Sequence, residues 1–122
     1  LRKILIVDDK NIVRDLLTAT LKDKNFEILS ASTGLEALEI ARKEKPSLIF
    51  LDVMMPEMDG FEVCEKLKTD DNTKDIHIIV LTSINRDKER EIAFNSGADD
   101  YLTKPFRPLD ILKKTEEFFS EI

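Results

Sequence analysis

Carboxylates dominate the residues of this chain that could do chemistry. Asp8 and Asp9 are adjacent, and Asp52 lies far away in sequence. Each follows an apolar run: Ile4-Leu5-Ile6-Val7 leads into the pair, and Leu48-Ile49-Phe50-Leu51 leads into Asp52. Carboxylates at the ends of buried strands are costly unless something neutralises them. Two like charges about 4 Å apart repel by roughly 4 kcal/mol at an effective dielectric of about 20. Three that converge must therefore take up a proton or a cation. An all-oxygen set with few protein ligands suits Mg²⁺, which keeps several waters and shares its shell with phosphate; Mn²⁺ is acceptable too. Zinc fits poorly because it takes His or Cys, and His77 and Cys64 fall within a strand and on a helix. A carboxylate can also attack a phosphoryl group and become an acyl phosphate. The transferred group spreads negative charge over its oxygens, so cations and donors must meet it. Lys104 offers the charge and Thr82 the hydroxyl. Asp52 stands alone and is the better nucleophile, whereas the adjacent Asp8 and Asp9 suit direct and water-mediated metal binding.

The elements that must position these groups alternate between short β-type runs and helical periods. Lys3 to Val7 is an apolar run of the kind a strand buried on both faces requires. Ile12, Val13, Leu16, Leu17 and Leu21 recur at helical spacing, with Arg14, Asp15 and Lys22 on the other side. Phe26–Leu29 is a second strand. Thr33-Gly34-Leu35-Glu36 reads as a capping box, and the helix it opens is predicted to carry Leu35, Leu38 and Ala41 inward. Pro46 precedes the third strand, Leu48–Leu51. A loop with Pro56 and Gly60 leads to a helix bearing Phe61, Cys64 and Leu67, and Thr69–Asp75 reads as a solvated connection. Ile76–Leu81 is the fourth strand, followed by a charged helix near Arg86–Asn95. Gly97 stands where a helix C-terminus wants positive φ. Asp99–Leu102 is a weak fifth strand, and Pro108 opens the last helix.

Five β–α units predict a three-layer, doubly wound (βα)5 α/β fold, with a parallel sheet covered on both faces. Ligands in such folds bind beyond the carboxyl ends of the strands, at a topological switch point. Asp8, Asp9, Asp52, Thr82 and Lys104 all fall at those ends, so five polar groups from four strand ends are predicted to meet on one rim.

The 122 residues suit one domain, 1–122, with a real core. A net charge of −6 argues against non-specific nucleic-acid binding by this domain. One cysteine precludes a disulfide framework and makes a reducing cytoplasm the simplest home. No apolar run approaches the roughly 20 residues of a membrane span, and nothing at the N-terminus reads as a signal peptide.

The ordered matches then acquire a family. Val7-Asp8-Asp9, Leu51-Asp52-Val53-Met54-Met55-Pro56 with Asp59-Gly60, Leu81-Thr82-Ser83, Gly97-Ala98-Asp99-Asp100-Tyr101 and Lys104-Pro105-Phe106 resemble a response-regulator receiver domain of two-component signalling. The resemblance spans almost the whole chain, with each match at its expected strand end. It implies a flavodoxin-like fold of strand order 2-1-3-4-5. It implies that Asp52 accepts phosphate from a sensor histidine kinase, a phosphotransfer protein or a small phosphodonor. Asp8, Asp9, Asp52 and the backbone carbonyl of Met54 would arrange Mg²⁺. Thr82 would swing toward the phosphoryl oxygens with Tyr101 turning inward behind it, Lys104 would bind the phosphoryl group, and the Lys104-Pro105 bond would be cis. Ser83 would leave room for the phosphate, and Met54 and Ile84 would restrict water and make phosphoryl loss slow. The implied molecule is a phosphorylation switch, not a turnover enzyme, whose last helix-strand-helix unit changes surface. A linked effector domain and a homodimer formed on phosphorylation are the further partners this reading leaves open.

Plainer readings stand beside these. A strand-end Asp such as Asp9 can simply cap a helix; Tyr101 can be a half-buried strand aromatic; Cys64 and His77 read as structural; Met54, Met55 and Met58 need not form a cofactor box; and Arg86–Glu91 reads as a solvated face. A flavodoxin-like redox protein would need a phosphate-cradling turn after strand one, but that turn is Asp8-Asp9-Lys10, with no Trp and a single Tyr to stack a flavin. An aspartyl-phosphate hydrolase would want a second acid at the position of Met54. A degenerate receiver that binds partners without phosphorylation is the remaining alternative, and the intact residue set speaks against it.

Overall fold

A computed structural model describes residues 2–22, 25–55, 59–82 and 87–120. Among them, five strands alternate with five helices: β1 (Arg2–Val7), α1 (Asn11–Leu21), β2 (Phe26–Ala31), α2 (Gly34–Glu44), β3 (Leu48–Asp52), α3 (Gly60–Thr69), β4 (His77–Thr82), α4 (Asp87–Asn95), β5 (Asp100–Thr103) and α5 (Pro108–Ser120). All pairings are parallel and the strand order is β2-β1-β3-β4-β5, as the family resemblance implied. The chain reverses its direction of travel across the sheet between β1 and β3, so the switch point lies between the strands that end at Asp8 and Asp52.

The continuous apolar runs are explained by burial on both sheet faces. Leu5, Val7, Ile49, Leu51, Ile78 and Val80 pack with Ala37, Leu38, Ala41, Val63, Cys64 and Leu67 of α2 and α3. Ile4, Ile6, Leu48, Phe50, Ile79 and Leu81 pack with Leu17, Leu21, Ile111 and Phe119 of α1 and α5. Period-two alternation thus feeds two cores from the same strands, which holds the strand ends in one plane.

Local chemistry sets the helix starts. Thr33 Oγ1 accepts from the Glu36 N–H at 3.1 Å, but the Glu36 carboxylate reaches back to the Ser32 N–H at 2.7 Å, so the box closes one residue early. Asp59 caps α3 in the same way, accepting from the Glu62 N–H at 2.9 Å. Leu35 departs from the predicted inward set: it is exposed, and Ala37 takes the buried place beside Leu38 and Ala41. Gly34, Ala37, Leu38 and Ala41 form the buried stripe of α2, and Leu35 falls beside it. Thr69–Asp75 is not wholly solvated either. Thr73 is buried, and its hydroxyl donates to the Leu67 carbonyl at 2.7 Å.

The fifth strand is one residue later than predicted. Asp99 precedes it and uses its carboxylate to accept from the Ile78 N–H at 2.8 Å and to pair with Lys68 at 2.7 Å. Gly97 has φ +96°, as its place after α4 required. Gly60 is needed for a different reason: a Cβ there would lie 2.3 Å from the Asp52 carbonyl oxygen and 2.5 Å from Val53 Cα. Both contacts are backbone, so Gly60→Ala must push α3 away from the end of β3. It is expected to cost about 1–3 kcal/mol in urea unfolding; an unchanged midpoint would contradict the close approach. Pro56, Met58, Ser83, Ile84 and Arg86 lie outside the described residues. Of the charged face read over Arg86–Glu91, Glu91 is exposed.

Candidate functional site

Four neighbouring strands deliver the site. Asp8 directly follows β1, Asp52 ends β3, Thr82 ends β4 and Lys104 follows β5. The register places Asp52 opposite Leu81 and Thr82 opposite Thr103. Backbone bonds extend the order beyond the strands: Val53 N–H donates to the Leu81 carbonyl at 3.1 Å, and Lys104 N–H to the Thr82 carbonyl at 2.7 Å. The Lys104-Pro105 peptide is cis.

Asp8 and Asp52 are buried, and Asp9 is exposed at the rim. Each contributes a carboxylate oxygen to a cluster whose atoms lie within 4.8 Å of one another. Lys104 bridges two of them, with Nζ 3.2 Å from Asp8 Oδ2 and 3.0 Å from Asp52 Oδ1. Asp8 Oδ1 accepts from the Lys10 N–H at 2.9 Å, and Asp52 Oδ1 from the Met54 N–H at 3.3 Å. Lys10, rather than Asp9, is the N-cap of α1, and it makes no side-chain cap. Asp9 is therefore spared for the cluster.

One oxygen stands apart. Asp52 Oδ2 is buried with no hydrogen-bond partner among the described residues. A buried carboxylate oxygen left bare is unfavourable, so this atom calls for a partner beyond the described residues. Burial pushes the Asp52 carboxyl above its ordinary range, and the Asp8 charge adds to that, while the Lys104 hydrogen bond and charge oppose it. For Lys104, burial acts downward, yet the hydrogen bond and charge of Asp52, with those of Asp8, carry the ammonium above its ordinary value. Among the described residues, the Lys104 ammonium pairs with two of the three acids, Asp8 and Asp52, and is outnumbered by the carboxylates. The donors are all oxygen and the cluster is tight; that set fits a hard divalent cation such as Mg²⁺.

Met54 lies beside this cluster through its backbone N–H, and its side chain is exposed. Thr82 is buried at the adjacent strand end. Tyr101 sits opposite Val80, half-buried against the core and edge-to-face with Phe94 at 6.2 Å. His77 begins β4, at the opposite end of the sheet from the carboxylates, and stacks on Phe118 at 4.5 Å. Cys64 is buried in the core, and burial raises its thiol, which keeps it inert. Both are structural, as read from sequence.

Arg14 was assigned to the outer side of α1 and is instead half-buried. Its Nη1 donates to the Asp8 carbonyl at 2.6 Å, and its Nη2 donates to Asn11 Oδ1. The signal available in sequence was an Arg one turn into the helix that follows an acidic pair.

Comparison with known proteins agrees with this geometry. The family model for the response regulator receiver domain matches residues 4–116. The chain is 45% identical over 109 residues to a probable transcriptional regulator, ycf27, of Porphyra purpurea, covering 89% of this chain and 44% of that protein. It is 38% identical over 112 residues to the DNA-binding dual master transcriptional regulator RpaA of Synechocystis, covering 92% and 46%. The chain thus spans under half the length of these relatives. Among solved structures, the chemotaxis protein CheY4 of Vibrio cholerae superposes with a TM-score of 0.90 at 33% identity, over 96% of this chain and 98% of that one.

Proposed function

This chain belongs to the response regulator receiver domain family, and from that premise we propose that it is a phosphorylation-controlled switch in which Asp52 is the phosphoryl acceptor. The observation that carries the reading is the bare, buried Oδ2 of Asp52, set beside a lysine that already holds Oδ1.

The asymmetry of the two oxygens divides their work. Oδ1 is occupied by Lys104 and the Met54 N–H, whereas Oδ2 has a lone pair to offer an incoming phosphorus. The donor is a phosphohistidine of a sensor kinase or phosphotransfer protein, or a small acyl phosphate. The Asp52 oxygen forms a bond to phosphorus as the P–N or P–O bond of the donor breaks, and the electron pair leaves with the donor. Lys104 is already within reach of the acceptor, so its ammonium meets phosphoryl charge without a long search. Asp8, Asp9, Asp52 and the Met54 carbonyl would hold Mg²⁺. When bound, the ion supplies positive charge against the phosphoryl oxygens and the carboxylates.

The product adds about −1.5 to −2 charge at one point. Lys104 then gains a stronger partner than two carboxylates, and the Thr82 hydroxyl can turn to the phosphoryl oxygens. Differential contacts of that kind can shift a two-state equilibrium, by no more than their own free-energy difference. Tyr101 and the half-exposed Phe94 form the adjoining surface that would change. The domain assists its own phosphorylation and slow dephosphorylation but turns over no separate substrate. Its likeness to named transcriptional regulators supports an attached effector, DNA-binding in one relative, and a cytoplasmic place of work. Dimerisation on phosphorylation would be the means of signalling to that effector. Among the described residues no helix is long and apolar enough to cross a membrane.

Beryllofluoride tests the switch without a kinase. With Mg²⁺ present it is expected to shift the backbone amide resonances of Thr82 and Tyr101 well beyond those of His77 at the far sheet end. Unchanged Thr82 and Tyr101 resonances at saturating beryllofluoride would contradict the proposal.

A further inference from the structure

We infer that Arg14 is a positioning residue for the acidic pair: it fixes the peptide between Asp8 and Asp9 and thereby aims the Asp9 carboxylate into the cation site. The inference rests on the metal reading above for the identity of the cation.

The turn after β1 has few other restraints. Its first N–H is tied to the sheet, since Asp8 N–H donates to the Ala31 carbonyl at 3.2 Å. The Asp8 side chain is tied too, through Lys10 N–H and Lys104. The Asp8 carbonyl belongs to the peptide plane that leads into Asp9, and Arg14 Nη1 holds it at 2.6 Å. Rotating that plane would swing the Asp9 Cα–Cβ bond, and Asp9 is exposed. The guanidinium is braced in turn by Asn11 Oδ1, at the first residue of α1. The planar fork suits this role, because one group makes two fixed bonds in different directions. α1 lacks both a side-chain N-cap and an acidic residue in its first turn, so the usual local restraints on a helix entrance are missing where Arg14 acts.

Charge and position give opposite signs, which makes the role testable. If Arg14 were only a nearby positive charge, removing it would tighten Mg²⁺ binding, since like charges repel. If it positions Asp9, removing it weakens binding. Substitutions behind a metal ligand typically weaken affinity about 10–100-fold.

The experiment is an NMR titration of the full chain with Mg²⁺, alongside thermal unfolding without metal, for wild type, Arg14→Met, Arg14→Lys and Asn11→Ala. Arg14→Met is expected to raise the Mg²⁺ Kd about tenfold, with Arg14→Lys and Asn11→Ala in between, because each keeps one of the two bonds. The Asp9 and Lys10 amides should shift in the metal-free variants. An equal or tighter Kd in folded Arg14→Met would overturn the inference. If Arg14→Met does not fold, unchanged affinity in both Arg14→Lys and Asn11→Ala overturns it instead. Failure of wild type to bind Mg²⁺ would overturn the cation site and this inference together. Wild type that binds Mg²⁺ but takes no phosphoryl group would overturn the acceptor role of Asp52 alone, and the Arg14 comparison would still be decisive.

Discussion

Asp52→Asn is expected to reduce labelling by acetyl phosphate in the presence of Mg²⁺ by a factor on the order of 10³ or more, as loss of a nucleophile does. The substitution preserves shape and can keep the bonds to Lys104 and the Met54 N–H, so loss of labelling reports the missing carboxylate rather than a collapsed site. The same variant should be more stable than wild type at neutral pH without metal. Burial holds the Asp52 carboxyl above the ordinary value of 3.8, so the folded state binds that proton more tightly than the unfolded chain. Asp52 therefore contributes stability that is fully present below about 3.8 and is lost as pH rises through its raised value. At pH 7 wild type carries the cost of an ionised, buried Asp52, and the Asn variant does not. Urea midpoints should differ most at pH 7 in a chelator, and the gap should narrow with added Mg²⁺ or with acid. A wild type that matches the variant across that range would show that the Asp52 charge is already compensated within the protein.

Lys104→Met should have the opposite effect. It leaves buried Asp8 and Asp52 without their shared ammonium, whose side chain is 21% exposed. Breaking a fully buried pair costs about 3–5 kcal/mol; with access to the rim and a proton available to Asp52, about 2–3 kcal/mol is expected at neutral pH without metal. Mg²⁺ should restore much of that, because it would supply the positive charge that Asp8 and Asp52 lost with the Lys104 ammonium. Labelling should be slowed less than the response to it: the beryllofluoride shifts at Thr82 and Tyr101 should shrink, since Lys104 can no longer report the new charge. Equal metal-free stability of Lys104→Met and wild type would contradict the bridging role.

These two substitutions probe the part of the molecule that was most legible in sequence, and the reason is physical. Asp8, Asp52 and Thr82 each end an apolar run and Lys104 follows the weak fifth strand, and in a parallel sheet all such ends face the same rim. Their meeting followed from alternation alone. The order of the strands did not, because periodicity says nothing about which buried strand lies beside which; only the family resemblance carried it. The inward face of α2 was misread at Leu35 because the buried stripe runs through the small residues Gly34, Ala37 and Ala41 with Leu38, and size and apolarity alone favoured Leu35 over Gly34 and Ala37. Thr73 was read as solvent-facing because a hydroxyl can be buried once one carbonyl satisfies it, here that of Leu67. Asp99 was counted into β5, although its carboxylate instead serves the start of β4 and Lys68. Arg14 was missed for a related reason: a helical wheel separates apolar from charged faces and cannot show a guanidinium reaching back to the carbonyl of the preceding turn.

The bridging lysine, the carboxylates that outnumber it and the bare Oδ2 all concern one atom group, the Asp52 carboxylate. The most direct test is to phosphorylate the wild-type chain with acetyl phosphate and Mg²⁺, reduce the product with borohydride, and locate the modified residue by peptide mass spectrometry. An acyl phosphate is reduced to an alcohol, so the carboxyl that carried the phosphoryl group is marked permanently. The account expects the mark at position 52 and at neither Asp8 nor Asp9. A mark on Asp8, Asp9 or any other residue, or none at all under conditions where Mg²⁺ is bound, would contradict it.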